Sequence, residues 1–181
     1  MVLTLEKALL QIENLETKVR ELKELSLDDL TGLPRRKVFQ TVVEEEILRC
    51  KRSKKTFSIL VTDLNELSTV NNTHGHPAGD QMIISFAKLL KHSLRDCDIV
   101  ARIGGDEFMV FLPDQNEKHA RTVIKHLLLA FEPGKELTLP YFRGAAIGAA
   151  TFGKEHSSFE KMYKAADKAL YVHKKAIKNL V

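Results

Sequence analysis

Two short apolar runs, residues 99–103 and 108–112, stand four residues apart, with Gly104-Gly105-Asp106-Glu107 between them. So short a link permits an antiparallel hairpin and excludes a parallel pair, which needs a crossover of a dozen residues or more. The two glycines can supply positive φ in the turn, and their missing side chains let a nucleotide lie against the backbone. Upstream, residues 57–63 are apolar almost without alternation, which predicts a central strand buried on both faces. Helical spacing predicts helices over about 34–53, 77–94, 116–130 and 158–175, with a small-residue β stretch over 141–152. Strands separated by helices, together with one hairpin, give an α/β (α+β) class with a mixed central β-sheet flanked by helices on at least one face.

Ahead of this lies a different pattern. Leu5, Ala8, Ile12, Leu15, Val19 and Leu22 recur at the three-then-four spacing of a coiled-coil seam, with charged residues on the other faces. Residues 1–27 therefore read as a helix that pairs two copies, the alternative being a helix packed on its own domain. The cap and turn residues Ser26, Asp28, Asp29, Gly32 and Pro34 break the period and open the main domain, 28–181. A start inside such a helix is also what an upstream sensor module would leave.

Composition narrows the class. With 44% hydrophobic and 29% charged residues, the 181-residue chain reads as one soluble domain with a core of its own. No stretch approaches the roughly 20 apolar residues of a membrane span, and the first residues mix Glu and Lys into their apolar positions, unlike a signal peptide. A cytoplasmic location is the expectation. Cys50 and Cys97 are far apart and in no C-x-x-C pair, which argues against a disulfide framework or a zinc site. Clustered bases at Lys51, Arg52, Lys54 and Lys55, and again at Lys174, Lys175 and Lys178, favour anionic ligands. The absence of Trp and the scarcity of aromatics argue against nucleic acid as that ligand.

Carboxylates at strand ends are exposed yet rigidly held. Asp63 closes one apolar run, and Asp106 with Glu107 separates the other two, so neighbouring strands would bring them together on hard divalent cations. The plainer alternative is a helix cap at Asp63 and a turn residue at Asp106.

Gly104-Gly105-Asp106-Glu107-Phe108 resembles the signature of the GGDEF family of diguanylate cyclases, and the resemblance runs from about residue 28 to 179. Asp29-Leu30-Thr31-Gly32-Leu33-Pro34 resembles the family's opening D-x-L-T-G-L-x segment, and Asp63 falls at its first metal-binding aspartate. Asn71 and Asp80 match the Asn and final Asp of the N-D-x-x-G-H-x-x-G-D run, which the family uses on guanine; a carboxylate suits the N1 and N2 donors that adenine lacks. Read without the family, both are loop and N-cap residues. The helix Ala166-Asp167-Lys168-Ala169-Leu170-Tyr171-Val172-His173-Lys174 resembles A-D-x-A-L-Y-x-A-K, which implies that Lys174 meets triphosphate, with Lys178 where the family has Arg. Arg95 and Asp98, five residues or so before the signature, match the R-x-x-D inhibitory site for cyclic di-GMP, to which Arg49 is a candidate contributor.

The resemblance implies a palm-like nucleotide cyclase fold and a diguanylate cyclase that condenses two GTP across a homodimer, releasing two pyrophosphates. It implies two Mg2+ or Mn2+ ions on Asp63, Leu64, Asp106 and Glu107, with Asp106, Glu107 and Lys174 catalytic. GTP would contact Asn71, Asp80, Gly104, Gly105, Lys174 and Lys178. Ser68 stands in place of a Lys, Asn65 and Asn72 in place of acidic residues, and Ile177 in place of a Gly. These departures bear on rate, and they keep open a second reading, a weak or inactive domain acting as a cyclic di-GMP receptor.

Overall fold

The structure, a computed structural model, describes residues 7, 11, 12, 15, 18, 26–131 and 141–179, except for the side chain of Lys178. Its elements are α1 Arg36–Ser53, β1 Ser58–Leu64, α2 Leu67–His74, α3 His76–His92, β2 Ile99–Arg102, β3 Glu107–Leu112, α4 Glu117–Ala130, β4 Ala145–Thr151 and α5 Phe159–Lys178. Boundaries follow local chemistry. Lys54 ends α1 in the left-handed region at φ 59°, donating its N–H to Cys50 O. The side chains of Asn116 and Ser158 cap α4 and α5 by accepting from the third residue on, at 3.1 and 3.3 Å.

The sheet order is β2-β3-β1-β4, and all three pairings are antiparallel. A mixed sheet was expected because β1 leads through helices to β2, a crossover that makes those two strands run the same way. The hairpin then inserts β3 between them, so each strand meets only antiparallel neighbours, as in a split β-α-β of the ferredoxin-like type. A lone parallel bridge joins Arg35 to Arg102.

Period-two alternation divides the strands between two cores, so helices cover both faces. Leu60, Phe108, Val110 and Leu112 point toward α3 and α4, packing with Phe86 and Leu90. Ile59, Val61, Met109 and Phe111 point the other way, toward α1 and α5, with Phe39, Met162 and Leu170. Every residue of β1 is buried, as its apolar run predicts. Each of the largest side chains hidden this way, such as Phe39 and Phe86, contributes about 2–3 kcal/mol.

α5 lies directly on β4. A Cβ at Gly148 would stand 2.1 Å from Ala166 O and 2.2 Å from Leu170 N, so only glycine admits this approach. One turn further, His173 Nδ1 accepts from Ile147 N–H at 3.0 Å. Leu5, Ala8, Val19 and Leu22 of the predicted coiled coil lie outside the described residues. The two described seam positions, Ile12 and Leu15, are helical and 51% and 62% exposed.

Candidate active site

Register decides where the acidic residues meet. Asp63 is the Cα partner of Glu107 across β1 and β3, and Leu64 N–H donates to Asp106 O at 3.0 Å. Asp63 continues the Ile59–Val61 face and Glu107 the Met109–Phe111 face, so alternation turns both carboxylates toward α5. From that helix Lys174 reaches back, its Nζ 2.6 Å from Asp63 Oδ2.

The charges are held under constraint. Burial pushes the Asp63 carboxyl above its ordinary value; the Lys174 hydrogen bond opposes this, and the Asp106 charge adds to it. Burial also raises Glu107, with Asp63 and Asp106 pushing the same way. Like charges directly opposed across a ladder are destabilising, so the arrangement is completed by a cation. In the structure that cation is an ammonium.

Gly104 and Gly105 do not use the positive φ expected of them; among the described glycines that conformation belongs to Gly32, Gly75 and Gly144. At Gly104 the constraint is steric. A Cβ on Gly104 would press on Glu107 Oε2 at 3.0 Å, whereas Gly105 faces open space. Glu107 itself opens β3 and is not a turn residue. Arg102 ties this turn down, donating to Gly104 O at 3.2 Å and Gly105 O at 2.8 Å while pairing with Asp28 at 3.0 Å.

Beside the carboxylates opens a cleft of about 810 Å³, bordered by Asp63, Asp106, Gly105, Lys174, Asn71 and Arg143. Asn71 Oδ1 is buried there with no hydrogen-bond partner among the described residues, and an unsatisfied acceptor of this kind calls for a donor from outside the fold. Gly79 makes room for it, since a Cβ would fall 1.9 Å from that oxygen. The N-cap of α2, Glu66, makes no side-chain cap among the described residues, and Glu66, Leu67 and Ser68 border the cleft.

The donor chemistry suits a divalent ion. Among the described residues no three His, Cys, Asp or Glu side chains stand grouped so as to hold a metal ion by themselves. Two opposed carboxylates, a third close by and an open cleft suit a hard divalent cation that takes few protein ligands and completes its shell with phosphate and water.

Residues 25–180 match the family profile described as the diguanylate cyclase GGDEF domain. The chain belongs to the GGDEF family. It is 31% identical over 156 residues to the probable diguanylate cyclase DgcC of Escherichia coli, covering 84% of this chain and 41% of that protein. Against the diguanylate cyclase DosC of the same organism it is 31% identical over 192 residues, with 97% and 41% covered. The chain thus spans about two-fifths of the length of these curated relatives. A sensory box/GGDEF family protein from Caulobacter crescentus superposes with a TM-score of 0.72 at 27% identity, covering 83% of this chain and 99% of that one. The coiled coil and GGDEF domain of DgcB from the same organism, solved with c-di-GMP, gives 0.82 at 21% identity over 95% and 93%, a likeness of fold.

Within this GGDEF domain the structure gathers Asp63, Leu64, Asn71, Gly105, Asp106 and Lys174 at one cleft, with Glu107 beside Asp63. Asp80 and Gly104 are not among its lining residues. Asp80 is exposed inside α3, whose N-cap is Gly75, so it is no N-cap. The Lys178 side chain lies outside the described residues. Arg95 and Asp98 form a separate place, facing a smaller hollow of about 280 Å³ together with Gly32, Pro34 and Lys91. There they grip one another: Asp98 accepts from the Arg95 backbone at 3.0 Å and from its guanidinium at 2.8 and 3.3 Å. Arg49 pairs instead with Glu46 at 3.2 Å. Sequence reasoning missed Arg143; a charged residue inside a predicted run of small and apolar residues was its signal.

Proposed function

We propose that this domain is a diguanylate cyclase that binds GTP in the cleft and joins two molecules into cyclic di-GMP. The opposed Asp63 and Glu107, with Asp106 adjacent and Lys174 paired to Asp63, carry this reading: carboxylates beside a basic group are the equipment of phosphoryl transfer. Two divalent ions, magnesium or manganese, would be held by the Asp63, Asp106 and Glu107 carboxylates and the Leu64 carbonyl, supplying charge neutralisation at the attacking and leaving oxygens.

The chain's own groups do the rest. Asn71 offers its free acceptor to the guanine amino group, and Asp80 serves the same edge if the α3 end closes on the ligand. Gly105 lets the nucleotide lie against the β2–β3 turn, and Gly104 keeps Glu107 placed. Lys174, paired with Asp63 in the free domain, would meet the triphosphate together with Lys178. Glu107 assists removal of the 3′-OH proton, which its raised proton affinity suits.

One domain offers one such cleft, so condensation requires two copies facing each other. The segment 1–27 is proposed to hold them as a homodimer, and the exposed Ile12 and Leu15 supply apolar seam positions. Arg95 and Asp98 are proposed to release each other and bind product, giving feedback. No helix among the described residues is long and apolar enough to cross a membrane.

The test is incubation of the protein with GTP and magnesium, with chromatography of the nucleotides beside Asp106→Ala and Glu107→Ala variants. Cyclic di-GMP from the parent alone is the expected result, and Arg95→Ala is expected to relieve inhibition by added product. Absence of product with manganese and concentrated protein overturns the cyclase reading; retained product binding through Arg95 would then favour a receptor.

A further inference from the structure

We infer that Arg143 is the residue that captures the polyphosphate of an incoming nucleotide, ahead of Lys174. This deepens the cyclase reading and rests on its assignment of the cleft. Two cations border that cleft from opposite elements, Lys174 on α5 and Arg143 just before β4. They differ in what occupies them. Lys174 is committed to Asp63 at 2.6 Å, so its charge is already balanced. Arg143 is exposed and has no ion pair or side-chain hydrogen bond among the described residues, whereas Arg35, Arg49, Arg95, Arg102 and Arg121 each face a carboxylate. Ser68, on the α2 border, brings no charge. A free guanidinium at a cleft otherwise edged by Asp63, Asp106 and Glu66 is the group ready to meet a polyanion, and its planar fork suits phosphate oxygens.

The backbone around Arg143 is fastened on both sides. Tyr141 is held at φ 62°, a strained conformation for a bulky residue, with its ring 4.9 Å from the His74 ring at the end of α2. On the other side Gly144, at φ 88°, gives its carbonyl to Asn65 N–H at 3.0 Å, and a Cβ there would press on Asn65 Nδ2 at 3.3 Å. Arg143 is therefore suspended between two ties to the α2 side of the cleft. Its Cα is placed while its side chain stays free, which lowers the ordering cost of gripping a ligand.

The Arg143 side chain is exposed and makes no ion pair or hydrogen bond among the described residues, so Arg143→Ala and Arg143→Lys are expected to fold as the parent does. Titration calorimetry with GTP, ATP, GMP and inorganic tripolyphosphate separates the possibilities. Arg143→Ala should weaken GTP and tripolyphosphate by about tenfold or more while leaving GMP within about twofold, and Arg143→Lys should recover part of the loss. Equal affinity of parent and Arg143→Ala for both polyphosphates overturns the inference. Should the parent bind tripolyphosphate through Arg143 yet show no preference for GTP over ATP, the inference stands and the guanine-specific reading of the cleft falls.

Discussion

Asp63 and Glu107 face each other as register partners on neighbouring antiparallel strands, two carboxylates at a position where cross-strand pairing favours opposite charge. The fold is therefore less stable at neutral pH than it would be with one of them neutral. Glu107 is held above its ordinary 4.5, chiefly by burial and then by Asp63 and Asp106. The native state thus holds this proton more tightly than the unfolded chain, a stabilisation complete below 4.5 and lost as pH rises through the folded value. Glu107→Gln should raise the unfolding midpoint at neutral pH by about 2 °C, and the gain should vanish in acid. Thermal unfolding of both proteins across pH measures it; a lower midpoint at neutral pH would show that Glu107 is not under repulsion.

Lys174 restrains the same cluster from the other side. Its hydrogen bond opposes the burial that raises Asp63, so Lys174→Ala should lift the Asp63 titration further above 3.8. Carboxyl-carbon NMR of the metal-free protein follows this directly. On the proposed reading GTP affinity should fall in the same variant, since the group assigned to the phosphates is gone. An unmoved Asp63 titration would mean that the 2.6 Å contact carries little coupling.

Asp28 behaves oppositely. Burial raises its carboxyl, but hydrogen bonds from Thr31 and Arg102 outweigh burial and leave it below 3.8. Its contribution is present above 3.8 and is lost as pH falls through the folded value. Asp28→Asn should cost about 2 kcal/mol at neutral pH, because both side chains of the Asp28–Arg102 pair are largely buried, at 18% and 13% exposure. Denaturant unfolding should show that deficit shrinking in acid. Arg102 also holds the carbonyls of Gly104 and Gly105, so weakening its anchor should loosen the β2–β3 turn.

What the sequence disclosed depended on period and on punctuation. The unbroken apolar run of β1 announced a central strand, and Gly104-Gly105 announced the hairpin, because both signals are local. α2 escaped notice since its eight residues bury only Val70, too little to mark a face. Asp63 was legible as an interruption of an apolar run, but its partner is fixed by register, which pairs residue 63 with 107 through strand insertion that no local pattern encodes. Arg143 stayed hidden for a similar reason: its place at the cleft follows from the ties of Tyr141 to His74 and of Gly144 to Asn65, contacts between segments far apart in the chain. The tightness at position 104 likewise comes from the Glu107 side chain packing over it and not from turn dihedrals.

The position of Lys174 depends on a glycine 26 residues before it. α5 reaches Asp63 because it lies against β4 at Gly148, where an added Cβ would meet Ala166 O at 2.1 Å and Leu170 N at 2.2 Å. Both obstacles are backbone atoms, so no rotamer change relieves the clash and the helix must move off the strand. Gly148→Ala should therefore cost about 3 kcal/mol or more, well above the usual effect of a single added methyl. Displacement of α5 would also strip the His173 contact from Ile147 and draw Lys174 from Asp63. The folded fraction should then show reduced GTP affinity together with a raised Asp63 titration, as in Lys174→Ala. A surface substitution at Tyr171, exposed on the same helix, should do neither. Wild-type stability in Gly148→Ala would mean that α5 does not rest on β4 through backbone contact, and the path from sheet to Lys174 would need another support.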